Sequence, residues 1–406
     1  MKRLNAALIK EIEALKAEGR AKSPERVITG YQAASGSKGP RYKLRGSDNE
    51  FIRMNSNSYM SLQDHPEMIK AADAATHAFG VGPGAVRFID GTFHYHVELE
   101  DATASFVGLE ASKIFTSSYM ANLGLAITIT NKQTYWIGDA LNHNSIIRAM
   151  RIANVPSANK GIYKHNDMSD LKRCLDEVPE AIERVVVIFD GIFSMRGDYS
   201  PMQEINAVVA PYRDKWQDGL VTVMDDCHGI AAYGDTGRGT CEYAADMPDI
   251  ITGTYGKGFG VNGGFIAGSQ DLINTVRQKA DTYIYTNPLS VADCAASIKS
   301  LQIVDSPEGS ERLTHLRART KQFRDGLDNL GLESIPGPHP VVPVLVRDTA
   351  KTHKAVKHLF DSGILVVGLT FPVVPKGDET LRFQINAAHT EHDINYALEA
   401  LDAFKG

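Results

Sequence analysis

The chain has 406 residues, 43% of them hydrophobic and 23% charged, with a net charge of −6. That length exceeds a usual single core, so one large domain with a smaller companion is expected of a globular chain this rich in apolar residues. The acidic balance excludes a general nucleic-acid or anionic-membrane binder, and no apolar run is long enough to span a bilayer.

In chain order, "MKRLNAALIKEIEALKAEGR" reads as an amphipathic helix and lacks the apolar stretch and cleavage site of a secretory signal. The cysteines, Cys174, Cys227, Cys241 and Cys294, are scattered without a CxxC pair, which predicts reduced thiols and a cytoplasmic protein. From residue 111 short apolar runs alternate with helical patterns. "ASKIFTSS", "TYWIGD", "RVVVIFDG", "GLVTVMDD", "DIITGTYG" and "GGFIAGS" read as strands buried on both faces. "LNHNSIIRAMRIA" and "DMSDLKRCLDEVPEAI" between them have helical spacing. Such alternation predicts an α/β sheet whose ligands gather at the carboxyl ends of its strands. Beyond residue 290 the texture changes. "LSVADCAASIKSLQIV" and "SERLTHLRARTKQFRDGLDNLG" read as long helices, then "HPVVPVLVRD", "GILVVGLTFP" and "ETLRFQINAAH" as strands. The division expected is an N-terminal helix and arm (1–55), a large cofactor-binding domain (56–290) and a C-terminal α+β domain (291–406).

The strand ends carry the chemistry. "VMDDCHG" closes one strand with Asp225, Asp226 and His228, and a carboxylate arriving there is buried and needs a cationic partner. "FDGIFSMRGD" adds Asp190, Ser194 and Arg196; "GDALNHNS" adds Asn142 and His143. "IFTSSYMANLG" runs from a strand into a helix whose first amides, with Ser117 and Ser118, suit an anion. In "TGTYGKGFGVNGG", Lys257 stands among glycines, three residues after Thr254, as though a flat group must lie beside it. A phosphate cradle, a buried acid, two imidazoles and a lysine together suit pyridoxal 5′-phosphate. That cofactor needs a lysine for its aldehyde, a carboxylate for its pyridinium nitrogen, and amides and hydroxyls for its phosphate.

The chain resembles the α-oxoamine synthases, a group of fold-type I pyridoxal-phosphate enzymes. The resemblance is carried in order by "NSNSYMSL", "GPGAVRFIDGTFHYHVELE", "TSSYMANLG", "DALNHNSII", "DGIFSMRGD", "DDCHGIAAYGDTGRG", "GTYGKGFG" and "LRFQINAAHT". It implies a mainly parallel seven-stranded sheet with a smaller α+β domain, and a homodimer with shared active sites. The implied reaction condenses an amino acid with an acyl-CoA, with decarboxylation, to an α-aminoketone. Glycine C-acetyl transfer without enzymatic decarboxylation, or an aminotransferase, is the alternative. It also implies that Lys257 binds the cofactor aldehyde and moves the Cα proton, while Asp225 faces the pyridinium nitrogen. His143 is then the residue stacked on the ring and His228 the partner of its phenolic oxygen, with Ser194 on that side. Ser118, Tyr119 and Thr254 are implied at the phosphate, with Thr286 reaching it from the other subunit. Asn57 and Arg382 are implied at the amino acid's carboxylate, Arg382 as a bidentate fork.

The sequence departs from the family's "N-[DN]-Y-L-G-L" at Ser58, Met60 and Ser61, and Tyr255 follows Thr254 where "TL" or "TF" is commoner. These positions are expected near the substrate side chain and acyl group. Asp226 is expected to be a strand-end hydrogen-bonding residue and Asp139 to serve a turn. His94 and His96, in "FHYH", either share one face of a strand as metal ligands or pack and cap, and the second reading is adopted, with no metal. His65, His165 and His389 have no partner pattern.

Overall fold

Apolar runs such as "RVVVIFD" place alternate side chains on opposite faces of a strand, and the computed structural model, which describes residues 1–371 and 373–405, shows what covers each face. Val185, Val187 and Phe189 join one hydrophobic cluster, with Ile137, Met224, Ile251 and Phe265 from neighbouring strands. Val186 and Ile188 join another, with Trp136, Val223, Ile250 and Ile266. Both faces are therefore dry, which is why these strands are apolar throughout rather than alternating.

The strands are β1 (Ala111–Phe115), β2 (Thr134–Asp139), β3 (Lys160–Tyr163), β4 (Arg184–Asp190), β5 (Leu220–Asp225), β6 (Ile250–Thr254) and β7 (Gly264–Gly268). They form a seven-stranded sheet in the order β1-β7-β6-β5-β4-β2-β3. β2 to β6 run parallel, and β7 is antiparallel to both neighbours. The mainly parallel α/β architecture is the one expected. β3 is the strand the apolar runs did not mark: it lies at the edge, and only Tyr163 of its four residues is buried. The helix in "DMSDLKRCLDEVPEAI" ends at Asp176, ahead of Pro179, whose ring cannot continue a helix.

Two compact units separate: Asn57–Leu316, and Met1–Ser56 together with the chain from Arg317 on. The helix Val291–Val304 belongs to the larger unit, packed on Pro66–Phe79 and His94–Val107, because Cys294, Leu301 and Val304 enter its core. In the smaller unit the N-terminal arm is tied to the C-terminal helix. Arg41 donates to Asp393 at 2.6 Å and the Gly39 amide donates to the same carboxylate at 2.9 Å. Burial works against the charge of Asp393, yet Arg41 and the amides hold its carboxyl below the usual range. "GILVVGLTFP" divides here: Ile364–Leu365 pairs with Glu50–Arg53 in one sheet, and Val367–Leu369 pairs with Thr380–Gln384 in another. Pro372, at its end, lies outside the described residues. Among the described residues no helix is long and apolar enough to cross a membrane.

Candidate active site

The carboxyl ends of β4, β5 and β6 converge on a small cleft. Asp190 and Asp225 are register partners, the last residues of adjacent parallel strands. Lys257 stands three residues beyond β6, half-buried, in the loop that returns into β7. Ser118, His143, Ser194 and His228 line the same cleft with Lys257 and Asp225, so six of the expected residues meet. Asp190, Ile192 and Cys227 complete the wall.

Asp225 is held from below. Asn122 donates from Nδ2 to Asp225 Oδ2 at 2.7 Å and to Ser145 Oγ at 2.9 Å, while its Oδ1 accepts from Thr252 Oγ1 at 2.8 Å. With both ends engaged, the amide cannot turn, and Asp225 keeps one orientation. The Cys227 amide donates to its other oxygen at 3.1 Å. Burial, reinforced by Asp225, pushes the Cys227 thiol far up, which removes it as a nucleophile. Asp190 accepts from the His143 amide at 2.7 Å, and burial beside Asp225 pushes its carboxyl well above the ordinary range. His143 caps the helix Asn144–Ile152, with Nδ1 2.7 Å from Ser145 Oγ. Burial lowers its pKa, although Asp225 opposes the shift, so the imidazole is a neutral plate at the cleft wall.

A helix N-terminus lies beside this group. Ser117 caps the twelve-residue helix Ser118–Ile129 by accepting from the Met120 amide at 3.2 Å. A Cβ on Gly264 would come within 2.2 Å of the Ser118 nitrogen, so only glycine lets β7 pass under the helix's first turn. The glycines around Lys257 serve the backbone as well. Gly260 sits at φ +74 with its Cα against Gln63, and Gly258 lies against Ala231. The bareness of that loop thus reflects close packing of two backbone segments in addition to space beside the lysine.

The other expected residues do not line this cleft. Thr254 keeps its hydroxyl inside the loop, donating to Gly263 O at 2.8 Å and accepting from the Gly256 amide at 3.0 Å. Tyr119 is 36% exposed on the helix that starts at Ser118. Thr286 lies in the segment before Val291–Val304, its hydroxyl 3.4 Å from Asn287 O. Asn57 belongs to the larger unit; Arg382 is buried in the middle of Thr380–Gln384 in the smaller one, opposite Pro343 and Val367. Tyr255 turns away from the cleft into the core, where its hydroxyl meets Thr103 and its ring meets Phe259 and Phe265. That departure from the family pattern is accommodated by packing rather than by substrate. Met60 is likewise in the core.

Asp226, 1% exposed, holds the loop that carries His228. It accepts from the Thr240 amide at 2.8 Å and the Thr240 hydroxyl at 2.6 Å, and Gly191, Gly229 and Gly239 leave it room. Burial pushes its carboxyl up to about 7, against the pull of the Thr240 hydrogen bonds. His94 and His96 lie on a helix, not a strand. His96 accepts at Nδ1 from the Phe93 amide and its Nε2 is 2.9 Å from Leu289 O, so both ring nitrogens are engaged. His65 caps Pro66–Phe79, and His389 accepts from the Asn386 amide. His165 is less ordinary than its sequence context suggested: it bridges Asp139 and Asp198, and these hydrogen bonds outweigh burial to hold its pKa up at about 9.

Sequence reasoning did not single out Asn122 or Tyr59 as site residues, and it placed Asp190 at a strand end without giving it a role. Asn122 and Tyr59 had no signal, because their partners are 103 and 169 residues away.

Residues 49–401 match the aminotransferase class I and II family. The chain is 38% identical to the 2-amino-3-ketobutyrate coenzyme A ligase of Escherichia coli K12, over 97% of this chain and 95% of that one. It is 36% identical to the 8-amino-7-oxononanoate synthase of Thermosipho melanesiensis, over 86% of this chain and 87% of the relative. A variant serine palmitoyltransferase from S. paucimobilis, solved with a PLP–myriocin aldimine bound, superposes with a TM-score of 0.85 at 27% identity, covering 98% of this chain and 96% of that one.

Proposed function

We propose that this chain, which belongs to the aminotransferase class I and II family and within it to the α-oxoamine synthases, joins the α-carbon of an amino acid to the acyl carbon of an acyl-CoA and releases CO2 and CoA. The observation that carries the reading is the meeting of Lys257, Asp225, His143 and His228 around one cleft beside a helix N-terminus. Pyridoxal 5′-phosphate is the cofactor, and these residues fit it: when bound, it supplies a carbonyl that captures amines and a ring that accepts carbanion electrons.

Lys257 would hold the cofactor through Nζ, and the same amine would take the proton from the amino acid's Cα. Asp225, kept in place by Asn122, holds a proton on the ring nitrogen. His143, at the cleft wall, would lie against the ring face, and its lowered pKa disfavours a second positive charge there. His228 and Ser194 serve the phenolic oxygen, and His228 also stabilises negative charge on the acyl oxygen as CoA departs. Ser118 and the first amides of its helix receive the phosphate; that Tyr119 and Thr254 serve it as well rests on the resemblance alone. On the resemblance, Arg382 and Asn57 hold the amino acid's carboxylate. On the same ground the working form is a homodimer in which Thr286 reaches the partner's phosphate. Four buried free cysteines support a reducing, cytoplasmic setting.

The test is a matrix of twenty amino acids against acyl-CoAs of rising length, read by thiol release and product mass. Thiol release with one pair, and a product lighter by CO2, supports the reading. Thiol release with the carboxylate retained indicates acyl transfer without enzymatic decarboxylation. Amino transfer to 2-oxo acids with no thiol release overturns it.

A further inference from the structure

Tyr59 is fully buried, and its hydroxyl lies 2.7 Å from Nδ1 of His228. The two rings are tilted by 57°, so the contact is made by the hydroxyl and not by stacking. Both partners are fixed from behind. Tyr59 sits in a tight turn closed by the Tyr59 amide on Asn57 O and the Ser61 amide on Ser58 O, and its neighbours Met60 and Leu62 are anchored in the core. His228 sits in the turn that the Asp226 carbonyl closes by accepting from the Gly229 and Ile230 amides, both at 3.1 Å. Neither ring can drift out of register without unpacking its turn.

A phenol O–H is far more acidic than the N–H of a neutral imidazole, so in this pair the phenol donates and Nδ1 accepts. The ring nitrogen left to carry the proton is then Nε2, because the hydrogen bond at one nitrogen selects the tautomer at the other. We propose that Tyr59 is a positioning residue that fixes His228 as the Nε2–H tautomer, so that the imidazole presents a donor, rather than a lone pair, to the cofactor's phenolic oxygen and to the acyl oxygen as CoA departs. This rests on the role given above to His228. It extends that role to a residue brought up by a turn 169 positions earlier in the chain.

The test uses Tyr59→Phe, which keeps the ring and its packing, in two backgrounds. In protein labelled with 15N-histidine, measured with and without cofactor, the His228 signal (identified by its loss in His228→Asn) should show an accepting Nδ1 and a protonated Nε2. In Tyr59→Phe it should move to the averaged shifts of a tautomer mixture. In turnover, Tyr59→Phe should lower kcat about tenfold, the worth of one buried hydrogen bond, with the KM for the amino acid unchanged. The same substitution made in His228→Asn should cost nothing further. An unmoved 15N signal, or an equal loss of rate in both backgrounds, overturns the proposal. A wild-type rate in His228→Asn would instead refute the role given to His228, and the 15N shifts would still decide whether Tyr59 sets its tautomer.

Discussion

Two adjacent buried carboxylates are given opposite tasks, and substitution by asparagine separates them. Among the described residues no cation stands against Asp226; burial moves its carboxyl from an ordinary 3.8 to about 7. The folded protein therefore keeps this proton to a higher pH than the unfolded chain does. The associated stability is complete below the unfolded value near 4 and is lost as pH rises through about 7. The whole effect is about 4 kcal/mol, of which about 2.5 kcal/mol falls between pH 5 and pH 8. Asp226→Asn removes the titration while keeping an acceptor for the Thr240 amide, and the Thr240 hydroxyl can turn to accept from the new NH2. Urea unfolding followed by the buried Trp136 and Trp216 should thus show the variant gaining on the wild type by about 2.5 kcal/mol from pH 5 to pH 8. Its turnover should change little. Asp225→Asn should do the reverse. It loses one accepted hydrogen bond, about 1 kcal/mol, but turnover should fall about a hundredfold or more, because an amide cannot hold the ring nitrogen's proton. Parallel pH–stability curves for wild type and Asp226→Asn would refute the burial argument. Equal losses of turnover from the two variants would refute the division of labour.

Ser61 sits at φ +52, in the left-handed region, where the family pattern has glycine. Ser61→Gly should relieve strain of about 1 kcal/mol and raise Tm by roughly 2 °C; an unchanged or lower Tm means that the serine's own contacts compensate. Arg382→Lys should raise the apparent KM for the amino acid about tenfold or more while leaving that for acyl-CoA unchanged, since an ammonium cannot form two parallel hydrogen bonds to a carboxylate. Steady-state titration of each substrate checks this, and an unchanged amino-acid KM rejects the assignment. Mixing Lys257→Ala with a variant damaged at Thr286 and Asn287 should restore part of the rate after subunit exchange, because one site of each hybrid keeps both parts. Demonstrated exchange without recovered activity rules out a site shared between subunits.

What could be read in the sequence is what depends on local pattern. Six of the seven strands announce themselves because a strand dry on both faces must be apolar throughout. β3 does not, since an edge strand with one buried residue carries no such signature. Lys257, Asp225, His143 and His228 were legible because functional groups in an α/β sheet gather where strands end. Long-range pairing was not legible. Only the folded chain brings Asn122 beneath Asp225, sets Asp190 level with it across two strands, and puts Tyr59 on His228. Nor could "GILVVGLTFP" reveal that it feeds two sheets, or Tyr255 that it faces the core, since apolar character says that a side chain is buried but not against what. The direction of the Asp226 and His165 shifts depends in the same way on distance. Burial without a cation leaves one acid holding its proton to about 7, and two carboxylates hold one imidazole charged to about 9, because desolvation and charge pairing are set by neighbours in space and not by neighbours in the chain.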